Sequence, residues 1–162
     1  MSSERVPSTP AVLALRAAKI EFTPHFYTYE AKGGTAVSSR ELGVDEHAVI
    51  KTLVMADDKA APLIVLMHGD RQVSTKALAR VIGVKSVAPC TPEVAQRHSG
   101  YRVGGTSPFG TRKKMPVYVE RSVLALPAIY INGGSRGFLV RIVPQAVVGL
   151  LAAQPVDVAI AQ

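Results

Sequence analysis

The chain has 162 residues, with 19 Lys plus Arg against 12 Asp plus Glu and a formal net charge of +7. Hydrophobic residues are 48% and charged residues 19% of the total, which is enough apolar surface for one core and argues against a disordered chain. No apolar run reaches the roughly 20 residues that span a bilayer, and the single cysteine, Cys90, rules out an internal disulfide or a Cys-rich metal site. The N-terminus shows no apolar stretch after a basic start, so the reading expects a cytoplasmic protein without a secretory leader or membrane contact. The positive surplus points to a polyanionic partner, although many small proteins are basic without one.

In chain order, Thr9 and Pro10 predict a helix start, with Val12, Leu13, Leu15 and Ile20 as its apolar stripe and an end near Lys19. Residues 1–8 are expected to form a flexible tail ahead of a single domain over 9–162. The aromatic, Thr-rich stretch at 26–29 predicts a short strand. Gly33, Gly34 and Thr35 read as a loop, and 38–42 as a short helix closed by Gly43. Asp45 caps a turn before two apolar, β-branched runs, 49–56 and 62–67, which predict a buried hairpin. Ser74 or Thr75 caps a helix ended by Gly83, a strand follows near 84–88, and Thr91 with Pro92 opens a helix to about His98. Strands are predicted at 117–120, 128–132 and 138–142, the last two joined by a 133–137 turn, and Pro144 opens a closing helix to Ala153. Tight hairpins among interleaved helices favour an α/β fold with a mixed, barrel-like sheet and flanking helices over a doubly wound parallel sheet.

Four motifs are candidates to carry chemistry. Lys51 shares a strand face with Val49, Leu53 and Met55. An ammonium on such a face either reaches water from an edge strand or enters a cavity, where it can hold an anionic or ester-bearing ligand. Gly104-Gly105-Thr106-Ser107-Pro108 is either a plain turn or a loop whose amides approach a ligand closely enough to hold a developing oxyanion. Gly133-Gly134 with Arg136-Gly137 is first of all a hairpin turn. Arg112, Lys113 and Lys114 are a solvated rim or a set of phosphate contacts. His25, His47, His68 and His98 lack ligand-like spacing, and a nucleophilic Cys90 is disfavoured, because a Cys before Thr-Pro at a helix start is usually a packed residue.

Thr9-Pro10-Ala11, Tyr29-Glu30, Lys51-Thr52-Leu53, Ala95-Gln96-Arg97, the run from Gly100-Tyr101 through Gly104-Gly105, Ser107-Pro108 and Gly110, and Ile129-Tyr130 followed by Gly133-Gly134 and Arg136-Gly137 occur in this order. Together they resemble the bacterial YbaK family of Cys-tRNA(Pro) deacylases, relatives of the editing domain inserted in prolyl-tRNA synthetases. The resemblance implies a trans-acting aminoacyl-tRNA editing domain without cofactor or metal, a monomer that acts on mischarged tRNA, tRNA(Pro) foremost, beside prolyl-tRNA synthetase. It places Lys51, Gly104 and Gly105 in the catalytic set, and Tyr29, Thr52, Thr106, Ser107, Pro108, Asn132, Gly133 and Gly134 around the substrate. It also implies attack by the substrate's own thiol. Departures lie at Gly33-Gly34, where relatives often have an aromatic, at Asn132, where a serine is typical, and at Leu139, which is polar in some members. Editing of Ala or Ser by water, a non-catalytic tRNA- or synthetase-binding module and a Cys90-dependent hydrolase stay open as alternatives.

Overall fold

Helix α1 (Pro10–Ala17) begins where the sequence places it: Thr9 accepts the Val12 amide at 3.1 Å and Pro10 occupies the first turn. The computed structural model describes residues 5–162. Of the expected tail, residues 1–4 lie outside the described residues, and Val6 packs at the margin of the core. Then follow β1 (Thr23–Phe26), α2 (Gly34–Leu42), a 3-10 turn (Glu46–Ala48), β2 (Val49–Asp57), β3 (Pro62–His68), β4 (Arg71–Val73) and α3 (Thr75–Ile82). The chain continues through β5 (Val87–Pro89), α4 (Pro92–Ser99), β6 (Val117–Glu120), a 3-10 turn (Arg121–Ala125), β7 (Ile129–Ser135), β8 (Phe138–Ile142), α5 (Gln145–Leu151), β9 (Gln154–Val156) and β10 (Ala159–Ala161).

The large sheet is mixed, in the order β1-β8-β7-β2-β3-β6-β9 with β5 added to β2, while β4 and β10 form a separate pair. Pairs β2–β7, β3–β6 and β6–β9 are parallel and the others antiparallel. Strands β1 and β9 are its two ends, so the barrel-like expectation becomes an open sheet rather than a closed barrel. Every residue of β3 is buried, because both faces are covered. Ile64 and Leu66 pack in the cluster with α1 and α5, and Leu63, Val65 and Met67 in the cluster with α3. Among the described residues no helix is long and apolar enough to cross a membrane.

The hairpin β2–β3 appears as predicted, its turn held by the Asp57 carboxylate, which accepts the Lys59 and Ala61 amides at 2.8 and 3.0 Å. Other boundaries move. The aromatic strand sits at Thr23–Phe26, where Pro24 is tolerated because β1 is an edge strand paired only with β8. Helix α2 starts at Gly34, inside the expected loop, and ends as expected at Gly43, whose φ of +67° suits a residue without a Cβ. Leu13 is 54% exposed and Ala11 fills the core in its stead. Strand β7 runs on to Ser135, through a register shift between Asn132 and Ser135.

The segment between α4 and β6 lacks regular structure and is anchored by side chains. Buried Tyr101 donates its hydroxyl to the Phe109 carbonyl at 2.5 Å, and Phe109 itself is fully buried. Burial pushes the Tyr101 hydroxyl up from 10.0 to about 12, so the unfolded chain ionises first. The stabilisation is complete below pH 10.0 and is lost as the pH rises towards 12. Tyr101→Phe is expected to cost about 1 kcal/mol at neutral pH and to flatten the alkaline fall in stability, as read by urea unfolding against pH.

Candidate active site

Strand β2 is paired with β3 along seven positions, Ile50 to Ala56. Its other edge is covered only at its ends, by β7 at Val49 and Ile50 and by β5 from Met55 to Asp57. Cys90 donates its amide to the Val54 carbonyl at 3.0 Å, which sets the side to which Val54's backbone groups point. Backbone groups two residues apart on such a ladder face the same edge. The Thr52 N–H and C=O therefore face the uncovered stretch between β7 and β5.

A cavity of about 660 Å³ opens at this stretch. It brings together Tyr29, Lys51, Thr52, Gly104, Thr106 and Asn132 from the predicted set, with an apolar wall that includes Val37, Leu53, Val73, Cys90 and Ala95. A second concavity of about 650 Å³, near Arg16, Phe22 and Arg141, contains none of the predicted residues. Similar volume does not make the two equivalent, because convergent polar groups in an apolar wall mark a binding site.

Lys51 is half-buried, and its Nζ donates to the Arg71 carbonyl at 2.5 Å. Burial lowers its pKa, opposed by the nearby carboxylates of Glu46 and Asp70. An ammonium has three donors, so those not given to Arg71 are available to a ligand. The Thr52 hydroxyl oxygen is buried and has no hydrogen-bond partner among the described residues.

The two glycine loops meet at the cavity rim. Gly104 has φ +89°, and a Cβ there would lie 2.7 Å from the Tyr29 ring, so glycine is required on both counts. Asn132 ties the loops together: Nδ2 donates to the Gly104 carbonyl at 3.1 Å, and Oδ1 accepts the Gly134 and Ser135 amides at 2.6 and 3.2 Å. Arg136 donates from Nε to the Val103 carbonyl at 2.8 Å, and its guanidinium carbon sits 4.8 Å from the centre of the Tyr29 ring.

Several predicted residues sit elsewhere. The Gly105 amide donates to the Arg102 carbonyl at 2.8 Å, which corrects the expectation that it is free to polarise a substrate carbonyl. Buried Ser107 accepts the Phe109 amide at 3.1 Å, and Pro108 is buried beside it. Gly133 faces the Phe138 ring and Gly134 faces Tyr101 and Thr9, so both serve close packing. Arg112, Lys113 and Lys114 are exposed and outside the cavity, and among the described residues none forms an ion pair. The cavity wall at Val37, Val73, Pro92 and Ala95 escaped the sequence reading, because an apolar residue facing a cavity looks like one facing the core.

His47, His68 and Asp70 place ligand-type atoms within 4.8 Å of one another. The two rings, however, stack at 3.6 Å and 7°. An ion bound about 2.1 Å from a ring nitrogen lies in the ring plane, and two near-parallel planes so far apart offer no shared point. His68 is also fully engaged, with Nδ1 donating to the His47 carbonyl at 2.7 Å and Nε2 accepting from Ser122 at 2.6 Å.

The chain matches the profile of the aminoacyl-tRNA editing domain over residues 31–150. An Enterococcus faecalis protein with the provisional name Cys-tRNA(Pro)/Cys-tRNA(Cys) deacylase EbsC is 27% identical over 147 residues, 90% of either chain. A proline–tRNA ligase of Thermodesulfovibrio yellowstonii is 39% identical over 111 residues, 68% of this chain but only 18% of the ligase. Among solved structures, a provisionally named trans-editing enzyme for prolyl tRNA synthetase superposes with a TM-score of 0.81 at 22% identity, over 98% of this chain and 100% of its own. A hypothetical protein gives 0.85 at 22%, over 93% and 99%. At that identity the two structures establish the fold.

Asn132→Asp keeps the acceptor for Gly134 and Ser135 and loses the donor to Gly104. It is expected to speed amide exchange at 104–106 more than at 134–135, whereas Asn132→Ala speeds both; hydrogen exchange with mass spectrometry separates the two patterns.

Proposed function

We propose that this chain, which belongs to the aminoacyl-tRNA editing domain family, is a trans-acting deacylase whose domain over 9–162 clears cysteine from mischarged tRNA(Pro) in the cytoplasm. The observation that carries this reading is the Lys51 ammonium set beside the uncovered stretch of β2, in a cavity with an apolar wall. Lys51 and the Thr52 backbone hold the aminoacyl-adenosine end, and the Gly104 loop, which contacts Tyr29 and is held by Asn132, faces the ester. The wall of Val37, Leu53, Val73, Cys90 and Ala95 suits a small, weakly polar side chain such as a thiol-bearing one.

The substrate supplies the nucleophile. Its sulfur bonds to its own carbonyl carbon, the bond from that carbon to the ribose oxygen breaks, and the thiol proton passes to the departing ribose hydroxyl. The product is free tRNA and a cyclic thiolactone that water opens. The protein's part is orientation and charge stabilisation. Cys90 does not compete for this role: burial pushes its thiol up, with Arg97 opposing, so it stays protonated at neutral pH. The unpartnered Thr52 hydroxyl supports a second reading, in which it orders a water or a serine hydroxyl and the edited residue is Ala or Ser.

Arg112, Lys113 and Lys114 contact tRNA phosphates, which position without reading sequence. The choice of tRNA(Pro) then comes from prolyl-tRNA synthetase beside a monomeric editing domain.

Purified protein is expected to deacylate Cys-tRNA(Pro) faster than Ala- or Ser-tRNA(Pro). Lys51→Ala should lower that rate about 10²–10³-fold while the melting temperature holds, and Cys90→Ser should retain it. Full activity in a folded Lys51→Ala protein contradicts the assignment, and preference for Ala or Ser selects the water mechanism. Replacing Arg112, Lys113 and Lys114 by Ala should raise KM for tRNA and reduce the salt slope by about 2–3.

A further inference from the structure

We propose that His47 and Asp70 are positioning residues for Lys51, acting through the 69–71 turn that presents the Arg71 carbonyl to its ammonium. The proposal rests on the reading of Lys51 as the group that holds the substrate.

Lys51 reaches the cavity from the middle of the site, and the one acceptor that aims it is a main-chain carbonyl at the start of β4. A carbonyl in a two-residue turn is only as well placed as the turn. Four contacts hold this one, and a bond from Thr35 to Glu46 braces one of them. The Gly69 amide donates to the Val49 carbonyl at 2.7 Å, and the Thr35 hydroxyl lies 3.2 Å from the Gly69 carbonyl and 2.8 Å from Glu46 Oε2. The Asp70 carboxylate accepts from His47 Nδ1 at 2.8 Å and from the Arg71 guanidinium at 3.1 Å. His47 is itself fixed from behind, because its ring stacks on buried His68, whose two nitrogens are both occupied. The chain of contacts therefore runs from the core, through His68, His47 and Asp70, to the turn that aims Lys51.

The same arrangement has an electrostatic side. The charged groups facing Lys51 are Glu46 on the 3-10 turn and Asp70 on the 69–71 turn, and both favour its ammonium form against burial. Burial pushes the Asp70 carboxyl up, but the His47 hydrogen bond, the His47 charge and Arg71 together hold it below its ordinary value of 3.8. Asp70 is thus an anion at neutral pH.

The test labels Lys51 with acetic anhydride pulses across a pH series and quantifies the Lys51 peptide by mass spectrometry, a readout independent of deacylation. In Asp70→Asn the labelling midpoint is expected to move to lower pH, because an anion that favours the ammonium is gone. His47→Phe keeps a ring for the stack and loses the donor to Asp70; it should shift the midpoint in the same direction. His47→Asn keeps a side-chain donor and should stay close to the parent protein. In parallel, kcat for Cys-tRNA(Pro) should fall about ten-fold or more in Asp70→Asn and His47→Phe, with His47→Asn rescuing it. An unchanged labelling profile in Asp70→Asn overturns the proposal whatever the His47 variants do. So does a His47→Phe protein that keeps the parent's labelling profile and kcat while His47→Asn loses them, since the ring and not the hydrogen bond would then matter. Absence of deacylation with the expected labelling shifts would sink the reading of the substrate and leave the positioning of Lys51 standing.

Discussion

Everything at the candidate site depends on one feature of the sheet, the four residues of β2, Lys51 to Val54, that pair with neither β7 nor β5. Main-chain N–H and C=O groups in a protein interior need partners, and a central strand normally finds them on both sides. Here the parallel pairing with β7 ends at Ile50 and the antiparallel pairing with β5 begins at Met55. Between them the strand's own backbone and Lys51 line a cavity, and the Thr52 hydroxyl is buried beside it. The gap is stable because β3 holds the opposite edge throughout and because two apolar clusters clamp the hairpin from both faces. A rigid strand thus presents backbone groups at the cavity that no neighbouring strand pairs with.

The rest of the site is arranged around that strand by contacts that spend their polar groups internally. Asn132 uses donor and acceptor to join the glycine loops, Arg136 is fixed between Val103 and Tyr29, and Gly105 closes a turn onto Arg102. What remains is a short list: the Lys51 donors not given to Arg71, the Thr52 backbone, and the rim at Gly104. Such a set can orient an ester and stabilise charge but offers no activated side-chain nucleophile. Under the proposed reading, a substrate that brings its own thiol would need no more than this.

The hairpin of β2 and β3, the helix caps at Thr9, Ser74 and Thr91, and the stops at Gly43 and Gly83 were legible because each rests on local chemistry. Lys51 stood out for the same kind of reason, as a charge within an apolar run. The three-residue strands β4, β9 and β10 were not legible, since so few residues carry no periodicity and their pairing is set by distant segments. The roles within the glycine motifs were misassigned in part. Sequence shows glycines at 105, 133 and 134, but not that Arg136, Phe138 and Tyr101 rather than a ligand claim the space. The His47–Asp70 pair was invisible for a related reason: its partners are 23 residues apart and meet only when the β3–β4 turn closes on the 3-10 turn.

Ligand contact with the uncovered stretch of β2 is read from the amide NMR spectrum of the protein titrated with a non-hydrolysable analogue, adenosine bearing cysteine in amide linkage at the 3′ position. The account predicts that the largest shifts fall at 51–53 and at Gly104, with the Thr52 amide foremost. Shifts confined to the groove beside Arg16 and Arg141, with the β2 amides unmoved, would contradict it.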